Sequence, residues 1–509
     1  MSGTGERWCA RRWLAPGFEL FVFAVVLAAI WVNPEMPLRD PGTGWHIVAG
    51  RDFLESGRIP REDGFSFTAQ GREWVGGAWL FDAAAAWLVS LGGLPLLTVW
   101  CGLLSALVPV ILYRRMLSEG AWAPVALACA MLAQGVLLMH TLNRPHVVSY
   151  VLFAWLITDL ARIGRREAGA GRLWLHAALM VVWCNCHRGF LAGLAAVAMF
   201  MALEWVAAAR GRGEGVRRRC VGLSAAALAM AAATLCNPWG IRLHTATLEY
   251  LRLESVARWI ENAPPDLLGG GSAVVAFEVM VLGVLGVLAT GRLRVAPWEA
   301  VAAVFFLHQA LRAERHMNLF AIVAAPMLAR GLSALFMARP GRLSGALARV
   351  DGQQRAARGW IWQVPVAAVL FLAVSMGGRD LCKRDLDGIH LSRGAAEHIG
   401  ASIARFDRMY NPVGLGGSLI YRFWPRLRVF VDDRNEIYGD RFLFGEYFPV
   451  EDARPGWEEV LGARGITAAI LISGSLSDRA FRSSPNWAED YRDARNAIYV
   501  RVRPGPRSP

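Results

Sequence analysis

The sequence predicts an α-helical polytopic membrane protein of about eleven transmembrane helices, followed by a small C-terminal extracytoplasmic α/β domain. Three observations predict it. The 509-residue chain is 55% hydrophobic and only 19% charged, with a positive mean hydropathy, which is more apolar sequence than one or two soluble cores need. Its apolar runs recur at lengths near the roughly 20 residues that cross about 30 Å of hydrocarbon. Its arginines gather in alternate connectors between those runs, as in cytoplasmic loops.

The expected spans, in order, are 18–32, 94–113, 121–139, 147–163, 173–183, 190–209, 221–235, 273–290, 295–311, 319–337 and 360–376. The run 78–91 carries Asp82 among a row of alanines and ends at Gly92 and Gly93. It reads as an interfacial or re-entrant helix, with spanning as the alternative. Arginine placement orients the set: Arg7, Arg11 and Arg12 inside, then Arg114 and Arg115, then Arg162, Arg165, Arg166 and Arg172, then "RGRGEGVRRR", then Arg292 and Arg294, then the basic stretch 339–358. The expected organisation is a cytoplasmic N-terminus (1–17), a transmembrane domain (18–377) with its first outer loop at 33–78, and an extracytoplasmic domain (378–509). No small-residue cleavage site follows the first helix, which reads as a retained anchor. The net charge of +13 would suggest nucleic acid in a soluble chain, but arginines in short connectors set topology, so membrane lipid and not nucleic acid is the expected partner.

With that topology every unusual polar cluster falls on the outer side: "RDPGTGWH", "NRPH", "WCNCHRGF", "NPWG", "ENAPPD" and "RAERHMN". Each also has a purely structural reading. His46, His146, His187 and His316 sit at helix ends, where an imidazole can face headgroups; Arg144 and Arg315 can contact lipid phosphates; "NPWG" can simply stop a helix. Their shared side is what favours a site. Cys184 and Cys186 flank Asn185, but the spacing matches no zinc pattern and they read as small apolar residues, so no metal ligands are assigned.

Taken in order, "D-P-x-T-x-W-H", "GRIPREDGFSFT", "RPHVVSYVLFA", "WCNCHRGFLAGL", "NPWGIRLH", "IENAPP" and "RHMNLFAIVAAPMLA" resemble a family of bacterial multi-pass proteins related to the C-type glycosyltransferases. The resemblance implies transfer of a sugar or glycan from a polyprenyl-phosphate carrier, with an acid in the first outer loop near the membrane surface. Asp40 occupies that acid's place. Relatives often carry a second acid two residues on, where this chain has Gly42, so the cofactor is left open: a divalent metal would find the acid pair incomplete. Arg188 stands where relatives tend to have glycine.

Glycosyl transfer from a lipid phosphate needs a base for the acceptor hydroxyl and cations for the departing phosphate. Asp40 is the expected base, with His46 as alternate. Arg144, Arg188 and Arg315 are expected phosphate ligands, because guanidinium pairs bidentately with phosphate and keeps its charge. His146, Asn185, His187, Asn237, Glu261 and His316 are expected to orient sugar or acceptor by hydrogen bonds. A transporter or flippase of lipid-linked glycans, a polymerase using the same carrier, and a non-catalytic scaffold are the alternatives. A transporter would place its polar groups near mid-membrane in related halves, whereas here they cluster at one face.

In 378–509, "ITAAILIS" and "NAIYVRV" read as strands, "RVFVDD" as a strand-like run leading to Asp432, Asp433 and Arg434, and 392–406 and 457–461 as helical. Gly414, Gly416 and Gly417 match no phosphate loop and read as turn residues.

Overall fold

A computed structural model describes residues 18–32, 35–211, 214–356, 363–378, 386 and 388–502. Arg7, Arg11, Arg12, Arg358 and the start of the expected span 360–376 lie outside them. The chain divides into two compact units: one of residues 1–34, 99–238 and 260–381, the other of 35–98, 239–259 and 382–509.

The first unit is helical. Each apolar run expected as a span lies largely or wholly on a helix, among them Ala123–Leu137, His146–Gly164, Phe190–Arg210, Ser272–Ala289 and Met317–Ala338. Among the described residues six helices are long and apolar enough to cross a membrane, fewer than the eleven expected. The reason is length and charge. Gly171–Cys186 and Pro297–Arg312 have 16 residues each, about 24 Å of rise, and Glu214–Ala233 begins with Arg217, Arg218 and Arg219. Trp79–Ser118 is one 40-residue element broken at Gly92 and Gly93, where Gly93 takes φ 67°. The run 78–91 thus ends where glycine frees the backbone. A buried ion network joins three helices, Trp79–Ser118, Pro297–Arg312 and Met317–Ala338: Arg115 meets Glu119 at 2.8 Å and Glu299 at 2.7 Å, and Arg330 meets Glu299 at 2.7 Å.

The second unit carries a four-stranded sheet, β1 (Met409–Tyr410), β2 (Ala468–Ile472), β3 (Trp487–Arg492) and β4 (Asn496–Arg501), in the order β1-β2-β4-β3. β1 runs parallel to β2, and β4 is antiparallel to β2 and β3. The first four residues of β2 are buried, as its unbroken apolar run requires. The run at 428–431 forms no strand; it pairs through a single parallel bridge between Ser66 and Val429. The core merges first-loop residues Trp45, Phe65 and Trp74 with Leu419, Phe430, Ile470 and Tyr499. The segment after 378 therefore shares its core with the first loop and does not close one by itself.

Gly416 and Gly417 are not turn residues. They lie in the helix Val413–Phe423, which packs on the helix Thr43–Ser56 through glycine. A Cβ on Gly417 would stand 1.8 Å from the Pro41 carbonyl oxygen, and one on Gly44 would stand 2.1 Å from that of Gly417. Only hydrogen fits at either position.

Candidate functional site

In the first unit, four of the sequence clusters meet at helix ends. Arg144, just ahead of the helix His146–Gly164, lies 3.3 Å from Glu261 of the turn Ile260–Asn262. That turn docks beside Arg315 and His316, since the Glu314 amide donates to the Ala263 carbonyl at 2.9 Å. Burial works to raise the Glu261 carboxyl, but the guanidinium groups of Arg144 and Arg315 pull it below the usual glutamate value. Arg144 thus pairs with the carboxylate while the charge of Arg315 acts on it, an excess of positive charge that suits an anionic ligand.

Around this group the hydrogen bonds fix several rings. His146 Nε2 donates to the His140 carbonyl at 2.6 Å. Asn318 donates to the Tyr150 hydroxyl at 2.7 Å. Ser149 Oγ accepts the Trp183 indole N–H at 2.6 Å and sits 2.7 Å from His187 Nδ1, which also accepts the Gly189 amide at 3.1 Å. With Nδ1 an acceptor, the His187 proton resides on Nε2. A Cβ on Gly189 would fall 2.5 Å from Ser149 Oγ and 2.7 Å from His187 Nδ1, so a side chain there would break the arrangement.

The other expected ligands take different places. Asn185 donates to the Val181 and Cys236 carbonyls at 2.7 and 2.8 Å, tying its helix to the following connector. Asn237 donates to the Thr234 carbonyl at 2.8 Å, closing its own turn. His316 contacts the Gln309 carbonyl at 3.3 Å. Arg188, half-buried beside His187, is not among the groups that dominate the field at Glu261.

Asp40 and His46 belong to the second unit. Asp40 is 2% exposed and accepts the Gly42 amide through Oδ1 at 3.1 Å. His46 does not face a headgroup layer. It is 4% exposed, and its Nδ1 lies 2.6 Å from Asp82 Oδ1, between the helix Thr43–Ser56 and the start of Trp79–Ser118. A Cβ on Gly50, one turn after His46, would meet the Asp82 carbonyl oxygen at 1.9 Å, so glycine lets the two helices approach closely enough to form the pair. A carboxylate on Nδ1 leaves Nε2 as the basic atom of a neutral imidazole.

Trp45 Nε1 donates to Asp433 Oδ1 at 2.6 Å, and a Cβ on Gly42 would stand 2.6 Å from Asp433 Oδ2. The Asp433 carboxylate thus crowds the place where relatives carry their second acid. Asp432 and Arg434 instead turn inward: Arg434 Nη2 reaches Asp432 at 2.6 Å and Asp63 at 2.7 Å, with its guanidinium 4.6 Å from the Trp74 ring and 4.8 Å from that of Phe65. No group of three or more His, Cys, Asp or Glu side chains among the described residues could hold a metal ion.

Sequence reasoning missed Asp82 as a partner, assigned Asn318 of "RAERHMN" no role, and did not single out Ser149, Tyr150 or His140. Two were within reach. Ser149 and Tyr150 lie three and four residues after His146, on the same helix face.

No family model matches the chain, and no curated protein does. Among solved structures, ArnT from Cupriavidus metallidurans bound to undecaprenyl phosphate is similar with a TM-score of 0.52 at 15% identity, over 96% of this chain and 99% of that one. The apo state of the same protein aligns at 0.50 and 13% identity, over 94% and 97%. The chain therefore shares the fold of the ArnT structure. An oligosaccharyltransferase, AglB from Archaeoglobus fulgidus in complex with an inhibitory peptide and a dolichol-phosphate, is also similar, with a TM-score of 0.48 at 11% identity over 88% of this chain and 69% of that one. With that fold and, among the described residues, six helices long and apolar enough to cross a membrane, the chain is a multi-pass membrane protein.

Proposed function

We propose that the protein is a membrane glycosyltransferase that moves a sugar or glycan from a polyprenyl-phosphate carrier to an acceptor at the outer face of the bacterial cytoplasmic membrane. The observation that carries this reading is the ion pair of Arg144 with Glu261, with the charge of Arg315 acting on the same carboxylate, at helix ends of a C-type fold. Two guanidinium charges against one carboxylate leave a surplus positive charge, which favours the phosphate that departs with the bonding electrons of the glycosidic C–O bond. Arg188 is the third candidate cation. His187, with its proton on Nε2, and Tyr150 would donate to phosphate or sugar oxygens. The acceptor hydroxyl's base is Asp40, with His46 as alternate. The ArnT structure holding undecaprenyl phosphate supports a lipid of that class as the carrier.

The test is binding of undecaprenyl phosphate to the full chain in nanodiscs, read by native mass spectrometry. Arg144→Ala and Arg315→Ala should each weaken it about tenfold, equivalent to one charge-assisted hydrogen bond, with lysine a partial substitute. Arg292→Ala, on a cytoplasmic connector, should leave it unchanged. Wild-type binding by both of the first two variants would remove the phosphate site.

A further inference from the structure

Away from the candidate site, the first unit carries a helix with one face docked and one face open. Arg342–Ala356 follows the apolar helix Met317–Ala338 after a short turn, which Ser344 closes by accepting the Gly341 amide at 2.8 Å and donating to the Arg339 carbonyl at 3.0 Å. Further along, Asp351 Oδ1 accepts the Ala123 amide at 2.8 Å, a carboxylate set at the positive end of the helix Ala123–Leu137. The two apolar helices are themselves joined there, since Ser333 Oγ accepts the Trp122 amide at 3.1 Å. Both anchors stand at the ends of helices that are long and apolar enough to cross a membrane. Arg342–Ala356 is therefore held where the chain leaves the bilayer.

Residues seven apart are two helical turns apart and share a face. Ser344 and Asp351 make the docked face and are buried. Leu343 and Val350 make an apolar face that is 62% and 48% exposed, with the half-buried Leu347 between them. Arg342 and Arg349 line the side of that face and are exposed. Asp351 is the only acid in the helix, and among the described residues Arg339, Arg342 and Arg349 have no acidic partner. The connector 165–172 is different: Arg165 pairs with Glu119 and Glu167, Arg166 with Glu204 and Arg172 with Asp159. Charge is neutralised within the protein there and left in surplus beside Leu343 and Val350.

We infer that Arg342–Ala356 is an interfacial helix that binds anionic phospholipid, with its apolar face among acyl chains and Arg339, Arg342 and Arg349 on headgroup phosphates. A second copy of the chain fits this face less well, because a two-fold contact would set the same arginines against one another. The inference does not depend on the glycosyltransferase reading.

Hydrogen–deuterium exchange of the full chain in nanodiscs, resolved by mass spectrometry, tests it. Gly345 and Gly352 weaken the helix by itself, so support from lipid registers in its amide exchange. Discs of phosphatidylcholine are compared with discs that also contain phosphatidylglycerol, at one chain per disc. Amides of 342–350 should exchange about fivefold more slowly with phosphatidylglycerol, the equivalent of one arginine at an anionic surface, while 165–172 should not change. Arg342→Gln with Arg349→Gln should abolish the difference, and Arg342→Lys with Arg349→Lys should retain it, because the surface potential acts on charge. Leu343→Ser with Val350→Ser should speed exchange in both lipids. All four positions are exposed, so these variants leave the bundle's packing intact. The inference is overturned by equal exchange of the wild-type helix in the two lipids, by phosphatidylglycerol-dependent protection that persists in the glutamine variant, or by protection that appears only with two chains in a disc, which would assign the face to a second copy. Undecaprenyl phosphate binding by the glutamine variant should stay at the wild-type level, so this inference and the carrier-phosphate site can fail separately.

Discussion

Asp40 engages the Gly42 amide through one carboxyl oxygen, and an asparagine can make the same contact with its carbonyl oxygen. Asp40→Asn should therefore keep the fold and carrier binding. Turnover of an undecaprenyl-phosphate-linked sugar should fall by about 10²-fold or more if Asp40 is the base. Unchanged turnover would transfer that role to His46, whose Nδ1 is already held by Asp82. A second residue-scale outcome concerns acid stability. Asp478 accepts from Arg492 at 2.7 Å, from the Tyr499 hydroxyl at 2.6 Å and from the Gly474 amide at 2.7 Å. Burial opposes its charge, but these donors hold the carboxyl down at about 2, below the ordinary 3.8. A depressed carboxyl stabilises the fold above its unfolded value, and that contribution is lost as pH falls from 3.8 through about 2. Melting temperature should drop across that interval, and Asp478→Asn should flatten part of the drop while lowering the plateau near neutral pH.

At the level of elements, helix contacts in the second unit are set by missing side chains. The helices Thr43–Ser56 and Val413–Phe423 cross where Gly44 and Gly417 face each other and Pro41. Gly417→Ala should cost about 3 kcal/mol, the upper range for overpacking, since backbone and not a flexible side chain blocks the new methyl. Thermal unfolding in detergent or nanodiscs measures this, with Gly414→Ala as control, because a Cβ at Gly414 meets nothing within 4 Å. The sequence displays these glycines without saying which are contacts. "NPVGLGGSLIYRF" suggests turns by composition, yet it forms a helix, because the close crossing uses the small residues and Leu415, Leu419 and Phe423 bury the same helix in the core.

For the whole molecule, the alternating arginines predict the N-terminus inside and the segment after Met376 outside. Alkaline phosphatase fused after Met376 should be active and a green fluorescent protein fused there dark; the reverse would invert the second half of the map. Hydropathy and charge are summed over local sequence, so the chain's own order sufficed for the helices at its apolar runs, the strands at "ITAAILIS" and "NAIYVRV", and the polar clusters at helix ends. The number of spans was less legible, because the expected runs at 173–183 and 295–311 lie on helices of 16 residues each, short of the roughly 20 that cross a bilayer.

Pairing was decided by tertiary structure alone. Arg144 meets Glu261 across 117 positions, His46 meets Asp82 across 36 and Arg434 meets Asp63 across 371. No periodicity connects such residues. They are joined by the cost of leaving a buried charge without a partner and, for His46 and Asp82, by the close helix approach that Gly50 permits. That is why the sequence could name Asp40, His46 and Arg144 as residues of interest but could not show that His46 is buried against an acid, that Arg144 pairs with Glu261, or that Asp433 fills the space beside Gly42.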